Sequence, residues 1–326
     1  MLVQILILLL SLVVLVWSAD KFVFGASALA RNCGISPMII GLTIVAMGSS
    51  APEMMISTTA SLQGNVNTAI GNAIGSNITN IALVLGITAL LQPLSVSSST
   101  VKREIPLILA ITALAYFMLA DNYFSFIEGL ILMIGFVVYI MALLIITLRN
   151  SKQKKLDDAL LTSAEQDVPV TTTPNAIFWL IIGMVLLPLS AKYLVDSSVF
   201  IATAFGVSDL VIGLTVIAIG TSLPELAASI VSIIKKEDDL AIGNIIGSNI
   251  FNILAVLSLA GLIAPGDIDH DVSLRDAPYM LGVTLLLFFL CFSRRFGNFR
   301  ITRVKGFVLI MTFIAYQVLL FSQLKG

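Results

Sequence analysis

Charge is scarce in this chain: Asp, Glu, Lys and Arg together make up 11% of its 326 residues, against 58% hydrophobic residues. Mean hydropathy is +1.04. Water-soluble domains carry about 25% charged residues, so that class is excluded and an all-α polytopic membrane protein is expected, with the lipid bilayer as its solvent. Histidine is nearly absent too. The single one, His270, sits in the acidic stretch GDIDHDVSLRD, which reads as a solvated loop. Only two cysteines occur, Cys33 and Cys291, both near expected ends of apolar runs; no disulfide and no metal-ligand spacing is expected from them. Net charge is −1, and nothing in the chain suggests nucleic-acid binding, a lipidation signal, a cofactor or an obligate protein partner.

What is abundant is apolar runs of spanning length. Ten occur, at 2–30, 37–60, 67–91, 105–120, 126–148, 175–204, 209–234, 240–263, 277–293 and 306–323. The first lacks a basic leader and continues past Asp20 and Lys21, so it reads as a retained span. With the amino end placed outside, fourteen Lys and Arg fall in inward loops, among them Arg31, Lys102, Arg103, Lys235, Lys236 and Arg300. The outward side keeps only Arg275 and Lys325. This bias predicts that both termini face away from the cytoplasm.

The chain also repeats itself. Shifted by 172 residues, GLTIVAMGSSAPE (Gly41 to Glu53) lies on GLTVIAIGTSLPE (Gly213 to Glu225), with eight of thirteen positions identical. GNAIGSNITN (Gly71 to Asn80) lies on GNIIGSNIFN (Gly243 to Asn252), with eight of ten identical. The expected organisation is a five-helix repeat over 1–148, a polar cytoplasmic linker over 149–174 and a second five-helix repeat over 175–326. The duplicated stretches occupy about 37–91 and 209–263. Five is odd, so the two copies cross the membrane in opposite senses. Ten helices in two inverted repeats is the plan of secondary transporters, with the site at the midplane.

The duplicated residues are costly in hydrocarbon. Pro52 has no N–H to give the carbonyl of Gly48, and Pro224 none for Gly220. An unpaired carbonyl is tolerated there only beside a polar cavity. Each proline is followed by an acid, Glu53 or Glu225, and preceded by hydroxyls: Ser49 and Ser50, Thr221 and Ser222. Asn72, Ser76 and Asn80 form one stripe at i, i+4 and i+8; Asn244, Ser248 and Asn252 repeat it. Single Ser or Asn residues often serve only as interhelical glue, but intramembrane acids default to function. Oxygen donors without His or Cys suit hard cations: Ca²⁺, Mg²⁺ or Na⁺. Two carboxylates make a −2 site that one Ca²⁺ neutralises. Reorienting them empty costs several kcal/mol, so exchange is expected over uniport. No Asp/Asp, Ser/Lys or His/Glu catalytic pairing appears, and the chain does not read as an enzyme.

These motifs resemble the paired alpha-repeats of the sodium/calcium exchanger family, within the cation/Ca²⁺ antiporter superfamily, and most closely its bacterial YrbG-type inner-membrane members. The resemblance covers both halves. It implies a Ca²⁺/Na⁺ antiporter working by alternating access, with Glu53 and Glu225 as central Ca²⁺ ligands beside backbone oxygens of Ser49 and Thr221. It implies Na⁺ sites lined by Ser50, Ser76, Asn80, Ser222, Ser248 and Asn252, and a long first and sixth span that slide against the other eight. Some members carry aspartate at the position of Asn252; asparagine here removes a third carboxylate for protons, K⁺ or an additional Na⁺, which leaves the driving ion open. A proton-driven cation exchanger using the same two glutamates is an alternative, as is a passive cation channel. Asp20 and Lys192 occupy equivalent repeat positions; either they snorkel near the ends of long helices or they form a gate-related pair across the pseudo-two-fold.

Overall fold

The computed structural model describes residues 1–157, 171–206, 218–292 and 299–323. Apart from two ladders of two-residue strands, these residues are helical. The helices are α1 (Leu2–Cys33), α2 (Pro37–Ser49), α3 (Ala51–Leu62), α4 (Val66–Leu91), α5 (Ser98–Lys102), α6 (Glu104–Leu119) and α7 (Phe126–Asp157). After them come α8 (Thr173–Ala204), α9 (Leu223–Ile234), α10 (Asp238–Ile263), α11 (Val272–Cys291) and α12 (Arg303–Gln323). Seven of these are long and apolar enough to cross a membrane, or eight if the bent pair α2 and α3 is one span. The expected run at 209–234 is described only from Ala218, and Gly213–Ile217 lies outside the described residues. The fifth run continues as helix to Asp157, past its expected end at 148.

Local chemistry sets the helix ends. Gly34 closes α1 with φ 63, and its N–H reaches the carbonyls of Ala30 and Arg31; only glycine adopts that left-handed cap without a Cβ clash. Asn65 caps α4 by accepting from Thr68 N–H at 3.3 Å. Pro52 and Pro224 stand in the first turn of α3 and α9. Each proline therefore interrupts one helix and begins the next, at a position where its missing N–H costs nothing.

Two packing units result. The larger core joins α4, α6, α10, α11 and α12 through residues such as Ile74, Ile108, Ile250, Leu287 and Leu309. The smaller joins Leu15, Phe22 and Val23 of α1 to Leu180, Leu187 and Ala191 of α8, seated on Ile40, Val45, Ala228 and Leu240. The glycines of the second copy, Gly243 and Gly247, act where α2 crosses α10. A Cβ on Gly243 would lie 2.7 Å from the Met38 carbonyl oxygen, and one on Gly247 would lie 2.7 Å from Leu42 Cα. The loops are tied by antiparallel ladders, Leu94–Ser95 (β1) to Arg300–Ile301 (β4), and Tyr123–Phe124 (β2) to Gly266–Asp267 (β3).

Candidate functional site

Helix breaks place the acids. Ser50 separates α2 from α3 with φ −85 and ψ 11, and the two helices bend by 47°. Ser222 precedes α9 with φ −91 and ψ 9. The two dihedral pairs agree within a few degrees and lie in the sparsely populated bridge region. Glu53 and Glu225 thereby fall in the first turns of α3 and α9. A helix N-terminus carries partial positive charge, which offsets part of the cost of burying a carboxylate there. Both glutamates are 0% exposed.

The two halves meet directly. Ser50 Oγ donates to Glu225 Oε1 at 3.0 Å, across 175 residues of sequence. Ser49 Oγ donates to Asn244 Oδ1 at 3.0 Å and lies 3.3 Å from Ser248 Oγ. Within the first repeat, Ser76 Oγ donates to Glu53 Oε1 at 3.5 Å. Ser49, Ser50, Ser248 and Glu225 are thus joined, through Asn244, across both repeats, while Glu53 and Ser76 bond within the first. Thr221 and Pro52 are half-buried; Gly48, Gly220, Ser222, Asn80 and Asn252 are buried.

Several atoms in this region have no hydrogen-bond partner among the described residues. Glu53 Oε2, Glu225 Oε2, Ser222 Oγ and both amide atoms of Asn80 and Asn252 are buried and unpaired. Leaving a buried polar group unpaired costs about 1–3 kcal/mol, and more for a charged one. Natural chains leave few such atoms; six of the seven sit at repeat-equivalent positions, and the five oxygens among them form a donor set suited to a hard cation. Among the described residues no group of three or more His, Cys, Asp and Glu could hold a metal. The candidate site is therefore built from two carboxylates plus neutral oxygens. Asn80 and Asn252 each begin a π-helical turn, Asn80–Val84 and Asn252–Leu257. Such turns shift the following side chains out of α-register and cluster at functional sites.

Two further residues escaped the sequence reading. Asn72 Nδ2 donates to the Glu53 carbonyl oxygen at 3.0 Å and to Ser57 Oγ at 2.9 Å. In the other repeat Asn244 Nδ2 donates to the Glu225 carbonyl oxygen at 3.4 Å and to Ser229 Oγ at 3.3 Å. Ser57 and Ser229 are 172 residues apart and four residues after each glutamate, a signal that was present in the repeat. The asparagine stripe thus divides: Asn72 and Asn244 brace the acid-bearing helices, while Asn80 and Asn252 keep unpaired amides.

Of the two readings of Asp20 and Lys192, the pair across the pseudo-two-fold is not formed. Asp20 instead pairs with Lys235 at 2.7 Å and Lys21 at 3.4 Å. His270 is exposed beside Asn122, its Nδ1 3.1 Å from Asn122 Oδ1. Cys33 and Cys291 are both free.

The likeness to known proteins extends over nearly the whole chain. Residues 3–145 and 175–322 match the family model described as sodium/calcium exchanger protein. The inner membrane protein YrbG of Escherichia coli is 42% identical, over 88% of this chain and 88% of its own. The candidate antiporter CaxA of Alkalimonas amylolytica is 56% identical over 99% of this chain and 100% of its own. The sodium/calcium exchanger MaX1 of Methanosarcina acetivorans is 33% identical over 98% and 99%. Among solved structures, the sodium-calcium exchanger NCX_Mj soaked with Na⁺ and Sr²⁺ superposes with a TM-score of 0.80 at 31% identity, covering 96% of this chain and 97% of that one.

Proposed function

This chain belongs to the sodium/calcium exchanger protein family, a family of transmembrane cation antiporters, and on that premise we propose that it exchanges Ca²⁺ for Na⁺ by alternating access. The observation that carries the reading is the pair of fully buried glutamates, each with an unpaired Oε2, held at the N-termini of two helices from equivalent repeat positions. In this reading Glu53 and Glu225 are the central Ca²⁺ ligands, with backbone oxygens of Ser49 and Thr221 beside them. Carbonyls released at Gly48 and Gly220 by Pro52 and Pro224 add further oxygens. Na⁺ occupies positions lined by Ser50, Ser76, Asn80, Ser222, Ser248 and Asn252. One Ca²⁺ neutralises both carboxylates; so do two Na⁺, and either load spares the switch two unpaired buried charges.

The same reading takes the chain as ten spans in two inverted five-helix repeats, 1–148 and 175–326, joined by a cytoplasmic linker at 149–174, with both termini outside. Paired buried carboxylates also hold protons, which is the basis of a second reading as a proton-driven cation exchanger. Purified protein in liposomes decides between them. Uptake of ⁴⁵Ca²⁺ against an imposed Na⁺ gradient supports the first reading; uptake driven only by a pH gradient with Na⁺ absent overturns it. Flux at full rate with no counter-cation opposite would sink exchange of either kind.

A further inference from the structure

The smaller hydrophobic cluster packs α1 and α8 chiefly against each other, as a pair seated on the remaining helices. One charged connection crosses that seat. Lys235, the residue that closes α9 with φ −83 and ψ 5, donates from Nζ to the Asp20 carbonyl oxygen at 2.9 Å and forms an ion pair with Asp20 Oδ1 at 2.7 Å. Its ammonium also lies 5.9 Å from the ring centroid of Phe24, so all three contacts are made to α1. The other Asp20 oxygen faces Lys21 at 3.4 Å, and the Lys21 ammonium lies 5.1 Å from the Trp179 ring centroid on α8. Lys235 and Glu225 share one helix, ten residues apart; that is about 15 Å of rigid rod.

The repeat makes this connection one-sided. At the 172-residue offset Asp20 corresponds to Lys192, and Lys235 corresponds to Gln63. Gln63 closes α3 with φ −84 and ψ 2, the same backbone position as Lys235. Yet its side chain is an uncharged amide, and among the described residues Lys192 makes no ion pair. If the opposite-facing conformation exchanges the shapes of the two repeats, the mirrored contact is Lys192 with Gln63, which has no carboxylate.

We propose that Asp20 and Lys235 form a one-sided latch between the α1–α8 pair and the helix that carries Glu225, so that the two alternating conformations are unequal in energy. The latch rests on the alternating-access reading. It favours the conformation in which α1 is closed on the Lys235 end of α9, and the opposite conformation lacks a counterpart. A partly exposed ion pair is worth about a two- to fivefold shift in such an equilibrium.

The test uses the full chain in proteoliposomes of defined orientation, with half-saturation by Ca²⁺ measured on each face. Lys235→Met and Asp20→Asn are each expected to shift the ratio of the two values by about two- to fivefold. Binding tightens on the face where Lys235 lies and weakens on the other. The double variant shifts no further than either single one, because both remove the same contact. Gln63→Lys with Lys192→Asp builds the mirrored pair and moves the ratio the opposite way. Independently of transport, spin labels on Cys33 and on Lys102→Cys, in a Cys291→Ser background, report the seat of α1. Lys235→Met adds a second distance population there. An unchanged ratio together with an unchanged distance distribution overturns the latch. Wild-type protein without Na⁺-driven Ca²⁺ flux overturns the proposed function instead, and the distance measurement still decides whether Lys235 holds α1.

Discussion

Glu53 and Glu225 each keep one carboxylate oxygen hydrogen-bonded to a serine and one unpaired. Removing a charge from such a site should cost more in ion binding than in folding. Glu53→Gln and Glu225→Gln are each expected to lower Ca²⁺ affinity on the order of a hundredfold, as loss of a charged contact implies, while the protein elutes as a folded monodisperse species. Isothermal titration with Ca²⁺ checks this. The two site serines separate binding from stability more sharply. Ser50 Oγ donates to Glu225, whereas Ser222 Oγ has no partner among the described residues. Ser50→Ala should therefore lower the ion-free Tm, by the equivalent of about 1–3 kcal/mol. Ser222→Ala should leave the ion-free Tm nearly unchanged yet weaken Na⁺-dependent stabilisation. Equal Tm losses in the two variants would show that the asymmetry between the repeats has no energetic content. Asn252 extends the same logic: Asn252→Asp adds a third buried acid to the two already present, so the pH dependence of Ca²⁺ uptake should become steeper than the parent protein's.

At the scale of elements, the prolines and glycines do different things. Pro52 begins α3 while denying a donor to Gly48. Pro52→Ala restores that donor and should keep the fold, but it engages the carbonyl that the site needs. Transport is expected to fall about tenfold or more, a change of ~1.4 kcal/mol, with no drop in Tm. Gly243 has the opposite character. A Cβ there would lie 2.7 Å from the Met38 carbonyl oxygen, so Gly243→Ala should destabilise the α2–α10 crossing by about 1–3 kcal/mol. Gly282→Ala, where the Cβ meets nothing within 4 Å, is the tolerated control. Thermal unfolding in detergent compares the two. Much of this arrangement was legible beforehand, because the 172-residue offset alone paired the glutamates, prolines and site serines. The π turns at Asn80 and Asn252 were not legible. Their sequence obeys the ordinary helical stripe, and the extra residue per turn is set by packing against neighbouring helices rather than by local propensity. The Asp20–Lys192 pairing failed for a related reason: equivalent repeat positions say which residues correspond, not which ones touch.

For the whole molecule, the loops carry an argument about crossings that helix lengths alone do not. α6 is 16 residues long and part of the seventh expected run lies outside the described residues, so a count by length falls short of ten. Number the connections between the ten expected spans in order. Connections three and nine are joined by the Leu94–Ile301 ladder, and three and seven by Ser95 N–H donating to Asp238 Oδ2 at 3.0 Å. Connections one and five meet through Asn32 Nδ2 donating to the Thr171 carbonyl oxygen at 2.9 Å. Connections four and eight share the Tyr123–Asp267 ladder, and two and eight meet through Asp269 N–H donating to Asn67 Oδ1 at 2.8 Å. Each of these contacts joins odd to odd or even to even. Parity of this kind is what alternating crossings produce, and one missed or extra crossing among spans two to nine would scramble it. The basic residues Arg31, Lys102, Arg103, Lys235 and Arg300 all flank odd connections, which supports placing those inside. In vesicles of known orientation, a membrane-impermeant maleimide should therefore label Tyr123→Cys and Asp269→Cys from outside only. The native Cys33 and Arg300→Cys should react only after the vesicles are inverted or opened. Labelling of Cys33 and Tyr123→Cys from the same face would break the parity and with it the inverted relation between the repeats. The two glutamates would then no longer be related by an axis in the membrane plane, and the symmetric route for alternating access would be lost.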